Sequence, residues 1–141
     1  MLHPNPLIAG CGFHHVAIRV ADFDATLRFY IEALGFRKAV EWGEGDGRAC
    51  MLDTGDGNYL EVFAGARRAA GEAPPDGAII HFALRTRDCD AALERARAAG
   101  AEVTMEPKDL AVFGDPPIPI RIAFFKGPGG EIVELFQNEV L

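Results

Sequence analysis

The chain repeats itself, and the repeat limits its fold more than any other feature. Phe13 to Val20 reads Phe-His-His-Val-Ala-Ile-Arg-Val, Ile79 to Thr86 reads Ile-Ile-His-Phe-Ala-Leu-Arg-Thr, and the two superimpose at an offset of 66 residues. From His15/His81 to Leu27/Leu93, seven of thirteen aligned pairs are identical: His15/His81, Ala17/Ala83, Arg19/Arg85, Asp22/Asp88, Asp24/Asp90, Ala25/Ala91 and Leu27/Leu93. Closing stretches match as well, Gly57 to Phe63 with Gly130 to Phe136, at an offset of 73. A chain of 141 residues, 49% hydrophobic, suits one buried core, so a single domain over 1–141 is expected, built of a module at 13–64, a linker at 65–78 and a module at 79–138.

Each repeat opens on a strand pattern. Side chains alternate between faces, so Val16, Ile18 and Val20 share an apolar face while His15, Ala17 and Arg19 point the other way. In the second copy Ile80, Phe82 and Leu84 form the apolar face, and His81, Ala83 and Arg85 the other. Glu61 and Glu134 likewise sit out of phase with Leu60/Val62 and Val133/Leu135. Each half therefore carries one His and one Glu on a face that is not core.

Between these strands lie a helix and a meander. Asp22 is the N-cap of a helix whose Phe23, Leu27, Tyr30, Ile31 and Leu34 recur at helical spacing up to Gly35. Runs at 37–42, 48–53 and 58–63, separated by Gly/Asp clusters, predict three antiparallel strands. The second module repeats the order, with a helix at 88–99 and strands near 102–106, 120–126 and 131–136. The offsets differ by seven residues, and this excess is assigned to a Pro-rich loop from Lys108 to Pro119, either folding over a pocket or making a surface excursion.

The net charge of −7 with scattered basic residues excludes a nucleic-acid surface, which needs clustered positive charge. Cys11, Cys50 and Cys89 are odd in number and form no Cys-x-x-Cys pair, so neither a disulfide framework nor a structural zinc site is indicated, and a reducing cytoplasm fits. No stretch approaches the ~20 apolar residues of a membrane span.

This βαβββ order, twice in tandem, resembles the vicinal oxygen chelate superfamily, which includes glyoxalase I, methylmalonyl-CoA epimerase, extradiol dioxygenases and bleomycin-resistance proteins. The specific marks are His-Val-Ala-Ile-Arg-Val at His15, Arg28-Phe29-Tyr30 with Leu34-Gly35-Phe36, Ala98-Ala99-Gly100-Ala101, and the run from Phe124 to Leu135. One departure is Gly127-Pro128-Gly129-Gly130, where many members carry Asp-Pro-Asp-Gly. The resemblance implies an α+β fold whose modules curl into a cupped, mostly antiparallel sheet. It also implies metal ligands on the first and last strand of each module, here His15, Glu61, His81 and Glu134. A lone strand histidine is usually structural; four competent ligands at repeat-equivalent positions argue together for one divalent ion, Ni, Co, Zn, Fe or Mn. His14 and His3 lack repeat partners and read as ordinary histidines.

A divalent ion that binds a carbonyl or enediolate oxygen stabilises the charge left when a neighbouring C–H proton departs. The resemblance to glyoxalase I implies proton transfer alpha to a carbonyl, by a lyase or isomerase with Glu134 as base and Glu61 as a ligand sharing that duty. Two alternatives stand beside it: an Fe(II)-dependent extradiol dioxygenase using His15, His81 and Glu134, and a metal-free binding or resistance protein. Phase with the ligands places Arg19, Tyr59, Phe63, Arg85 and Phe136 on the substrate pocket, joined by Phe113 from the Pro-rich loop. The expected partners are a small-molecule substrate and a second copy in a homodimer, which in some relatives pairs modules across chains; no nucleic acid or membrane is expected.

Overall fold

The computed structural model describes residues 6–7, 13–70, 72, 79–113 and 116–139, apart from the side chains of 112 and 113. Strands β1 (His15–Arg19), β2 (Arg37–Trp42), β3 (Ala49–Asp53) and β4 (Tyr59–Phe63) form one sheet in the order β1-β4-β3-β2. Strands β5 (Phe82–Arg85), β6 (Glu102–Phe113), β7 (Ile118–Lys126) and β8 (Ile132–Gln137) form a second in the order β5-β8-β7-β6. The β1/β4 and β5/β8 pairs are parallel and the others antiparallel. The α+β class and the tandem modules are thus as expected. Each module contributes its own four-stranded sheet.

Both helices start for the same reason. The carboxylate of Asp22 accepts a hydrogen bond from Ala25 N and that of Asp88 one from Ala91 N, each at 2.9 Å, satisfying an amide that the first turn of a helix leaves unpaired. Helix α1 (Phe23–Arg28) was expected to run as one α-helix to Leu34, but it widens into a π turn over Phe29–Ala33. At its end the Ala33 carbonyl accepts a hydrogen bond from Arg95 Nε of helix α2 (Cys89–Ala98) at 2.8 Å. The end of the first module's helix is therefore tied to the second module, a contact that no local spacing announces.

The apolar strand faces meet that helical layer. Leu60, Val62, Val133 and Leu135 join Phe23, Leu27, Tyr30, Leu93 and Phe125 in one buried cluster. Because both apolar faces turn inward to this shared core, the faces carrying the His and Glu residues turn outward, away from each other.

Two boundaries differ from expectation. Strands expected over 13–20 and 79–86 shorten to His15–Arg19 and Phe82–Arg85, because the parallel ladders to β4 and β8 end there. Phe13, Ile79 and Ile80 consequently stand 73 to 76% exposed beside the edge strands β1 and β5. The expected loop over 108–119 is instead mostly the arms of a hairpin, with Lys108 opposite Ile122 and Ala111 opposite Pro119. Proline is tolerated there because β6 is an edge strand, Pro107 falls at a register shift, and Pro119 lies beyond the part of β7 that β8 pairs. The linker at 65–78 is partly described, and its positions 71 and 73–78 lie outside the described residues, as do His3 and Cys11.

Candidate metal centre

In the first module, the parallel register places Tyr59 beside His15 and Glu61 beside Ala17, so His15 and Glu61 are diagonal neighbours on one face. His15 Nε2 lies 3.4 Å from Glu61 Oε2, with side-chain exposures of 40% and 14%. In the second, Glu134 stands beside Ala83, and His81, just ahead of β5, brings Nε2 to 3.0 Å from Glu134 Oε2, with exposures of 32% and 12%. In each pair the carboxylate is largely sheltered and the imidazole faces outward.

A ring nitrogen facing a carboxylate oxygen at this range fits either a hydrogen bond from a ring N–H or a cation held between the two. Two donors at about 2.1 Å from an ion, with tetrahedral or octahedral angles, stand roughly 3.0 to 3.4 Å apart. Both pairs fall in that range, so each fits half of a coordination sphere. Among the described residues, no group of three His, Cys, Asp or Glu side chains is arranged to hold a metal ion. The four predicted ligands are brought together two by two within one chain, because the two faces that carry them point apart.

His14, read from sequence as an ordinary histidine, has a place here. Its Nδ1 lies 2.9 Å from His15 Nδ1, holding the ring nitrogen that does not face Glu61. Metal-ligating histidines are commonly oriented by such a contact on the second nitrogen. The signal in the sequence was adjacency alone, and the second repeat has Ile80 at that position.

The surroundings of the pairs are apolar. Phe124, which pairs with Glu134 in the ladder, packs edge-on to the His81 ring with centroids 5.4 Å apart, and Phe136 follows on the same face. In the first sheet Trp42, Ala49, Phe63 and Arg19 are successive neighbours across the strands. Trp42 meets Phe63 edge-on at 6.4 Å; the Arg19 guanidinium lies 5.2 Å from the Phe63 ring centre and donates to the Ala64 carbonyl at 2.8 Å. Sequence phase did not assign Trp42 or Phe124 to this face, since a bulge between Lys38 and Val40 resets the alternation in β2 and the Phe124-Phe125 doublet is ambiguous. Tyr59 packs against His14, and with Arg85 it borders a cavity of about 660 Å³ lined by residues of both modules, Val16, Leu60 and Leu84 among them. Phe113 pairs with Ile118 along the backbone, and its side chain lies outside the described residues.

Among the described residues, no thiol competes for the chemistry here. Cys50 and Cys89 are fully buried, and burial pushes both thiols above their ordinary range, opposite to what a thiolate nucleophile requires. None of the described helices is long and apolar enough to cross a membrane.

A sequence profile of the Glyoxalase/Bleomycin resistance protein/Dioxygenase superfamily matches residues 12–135. A lactoylglutathione lyase of Arabidopsis thaliana is 30% identical over 129 residues, covering 89% of this chain and 44% of the relative, so the chain spans less than half of that protein. A probable lactoylglutathione lyase of Vibrio parahaemolyticus is 30% identical over 130 residues, with 89% of each covered. The 3-methylcatechol 2,3-dioxygenase of Pseudomonas putida is 34% identical over 83 residues, 56% of this chain and 26% of that enzyme. The crystal structure of a glyoxalase family protein from Enterococcus faecalis superimposes with a TM-score of 0.71 at 25% identity, covering 89% of this chain and 97% of the other.

Proposed function

The chain belongs to the Glyoxalase/Bleomycin resistance protein/Dioxygenase superfamily, and from that premise we propose that it is a metal-dependent lyase or isomerase that works as a homodimer. The observation that carries this reading is the pair of half-sites, His15 with Glu61 and His81 with Glu134, each spaced as two ligands of one ion and neither joined by a third ligand among the described residues. A second copy supplies the missing half, His15 and Glu61 of one chain meeting His81 and Glu134 of the other. The exposed Phe13, Ile79 and Ile80, beside the open edges of β1 and β5, support a partner there, since unpaired edges and apolar side chains together favour association.

Two imidazoles and two carboxylates suit a borderline divalent ion, Ni, Co, Zn, Fe or Mn, which when bound supplies Lewis acidity toward a substrate oxygen. The chain's own residues do the rest. Glu134, sheltered beneath Phe124 and Phe136, takes the proton alpha to the substrate carbonyl and returns it to the adjacent carbon. Glu61 ligates and, on the opposite side of the substrate, shares the transfer. The aromatic walls, Trp42 and Phe63 from one chain and Phe124 and Phe136 from the other, exclude water and leave Arg19 at the rim for an anionic substrate group. The 3-methylcatechol 2,3-dioxygenase relative favours a second reading, an Fe(II) dioxygenase using His15, His81 and Glu134.

Subunit complementation tests the proposal. His15→Ala and His81→Ala homodimers are expected to bind no metal and to be inactive, whereas a mixed dimer regains one intact site, seen as one ion per two chains and up to half the wild-type activity. A mixed dimer without metal or activity would overturn the shared site. Trial hemithioacetals of small 2-oxoaldehydes, followed by exchange of the alpha proton with deuterated solvent, read the chemistry. Oxygen uptake with a catechol only after iron is supplied would favour the dioxygenase.

A further inference from the structure

The turn that leads into β8 departs from Asp-Pro-Asp-Gly, and its surroundings explain the departure. Glu131, the residue after that turn, is 8% exposed, and its Oε1 accepts a hydrogen bond from the hydroxyl of Tyr30, which is fully buried in the π turn of the first module. A Cβ at position 127 would overlap the Glu131 carboxyl and come within 2.8 Å of the Tyr30 hydroxyl; one at 129 would lie 2.7 Å from Glu131 Oε2 and 2.5 Å from Val20 Cγ1. Neither glycine has a positive φ. Their role is room, not backbone freedom. The glycines and Glu131 are thus one device, in which a buried carboxyl occupies the space that side chains at 127 and 129 would fill.

A third residue completes it. Arg68, in the segment after β4, donates from Nη2 to the carbonyl of Arg19 at the end of β1, at 2.6 Å, and to that of Gly129 in the turn, at 3.1 Å. The same guanidinium therefore holds the end of a first-module strand and the approach to the second module's last strand. Arg68 Nε and Glu131 Oε2 are buried without hydrogen-bond partners among the described atoms, a cost that the arrangement carries. Burial raises the affinity of Glu131 for a proton, with the Tyr30 bond and the charge of Arg68 opposing it.

We propose that Tyr30, Glu131 and Arg68 are positioning residues: a buried clasp between the modules that sets where β8, and with it Glu134, stands relative to the first module. Glu131 is three residues from Glu134 on the same chain segment, so slack at the clasp is transmitted along a short, paired strand. The effect on metal binding rests on the function proposed above; the clasp itself does not. Its contribution is geometric, because neither Tyr30 nor Glu131 reaches the outward face where His81 and Glu134 meet.

Two measurements on the full chain separate these points. In metal-free protein, Tyr30→Phe removes one oxygen and keeps the ring; amide exchange is expected to accelerate about tenfold over 127–137, with β3 little changed. Glu131→Gln, which keeps the acceptor, should restore most of the wild-type protection, and Glu131→Ala should not. In cobalt(II) titrations followed by visible absorption, Tyr30→Phe and Glu131→Ala should weaken binding about tenfold and alter the band intensities, while Glu131→Gln stays near wild type. Faster exchange spread evenly over both sheets, or faster exchange at 127–137 with an unchanged cobalt spectrum and affinity, would overturn the positioning role. Wild type that takes up no cobalt would overturn the proposed function instead, leaving the exchange pattern to decide the clasp.

Discussion

The two modules carry the same His–Glu pair but hold the glutamate strand in different ways. In the first, the turn before β4 is self-contained: the Asp56 carboxylate accepts bonds from the Thr54 hydroxyl at 2.8 Å and from Asn58 N at 3.2 Å. In the second, the turn before β8 is built around Glu131 and secured by Tyr30 and Arg68 from outside its module. A repeated unit can thus keep its site residues in register while one copy is positioned locally and the other by its neighbour. The second pair is also closer, 3.0 Å against 3.4 Å, and sits beneath Phe124, whereas the first has Trp42 and Phe63 farther along its sheet and His14 on its imidazole.

The sharpest way to press this comparison is at the carboxylates themselves. Glu134→Gln keeps size and a ligating oxygen but removes basicity, so turnover is expected to fall by about 10² or more with metal retained. Glu61→Gln should cost much less if its main duty is ligation. Steady-state kinetics with metal analysis of both variants checks the asymmetry, and equal losses would make the half-sites equivalent in chemistry.

The turns come next. Gly127→Ala forces a methyl into the Glu131 carboxyl and should cost about 2 to 3 kcal/mol in denaturant unfolding. Gly55→Ala, at φ +103° with open space around it, should cost about 1 kcal/mol of backbone strain alone. Equal costs would show that the second turn is no tighter than the first.

A matched pair of N-caps serves as the control. Asp22→Ala and Asp88→Ala each remove a 2.9 Å capping bond and should each cost about 1 kcal/mol, within error of one another. A large inequality would show that coupling between the modules extends beyond the clasp.

The smallest effect is the pH dependence of Glu131. Because burial holds its folded-state proton affinity above the unfolded value, its favourable contribution is complete below the ordinary carboxylate range and is lost as pH rises through the raised value. Glu131→Gln, which never ionises, should therefore gain stability relative to wild type between mildly acidic and neutral pH, with no change in the difference at lower pH. Thermal unfolding at a series of pH values measures it.

Much of the candidate site could be read before any fold was known. Alternation placed His15, Glu61, His81 and Glu134 off the apolar faces, and Asp22 and Asp88 were recognisable as caps because their chemistry is local. Trp42 was not, since a bulge in β2 resets its phase, and Tyr30 read only as core because its hydroxyl finds its partner 101 residues away. The stretch over 108–119 was misjudged for a related reason: proline forbids a central strand, and only the sheet order shows that β6 is an edge.

The sequence by itself determined the repeat, the strand and helix order and the phase of the four candidate ligands, because each of these depends on residues a few positions apart or on repeat-equivalent places. Tertiary structure decided that both apolar faces close on one helical layer, so that the polar faces point apart and one chain brings its ligands together only in pairs. It also decided that a buried carboxyl displaces two turn side chains. Both are matters of which surfaces share the interior, and that follows from packing between segments far apart in the chain, to which local spacing is blind.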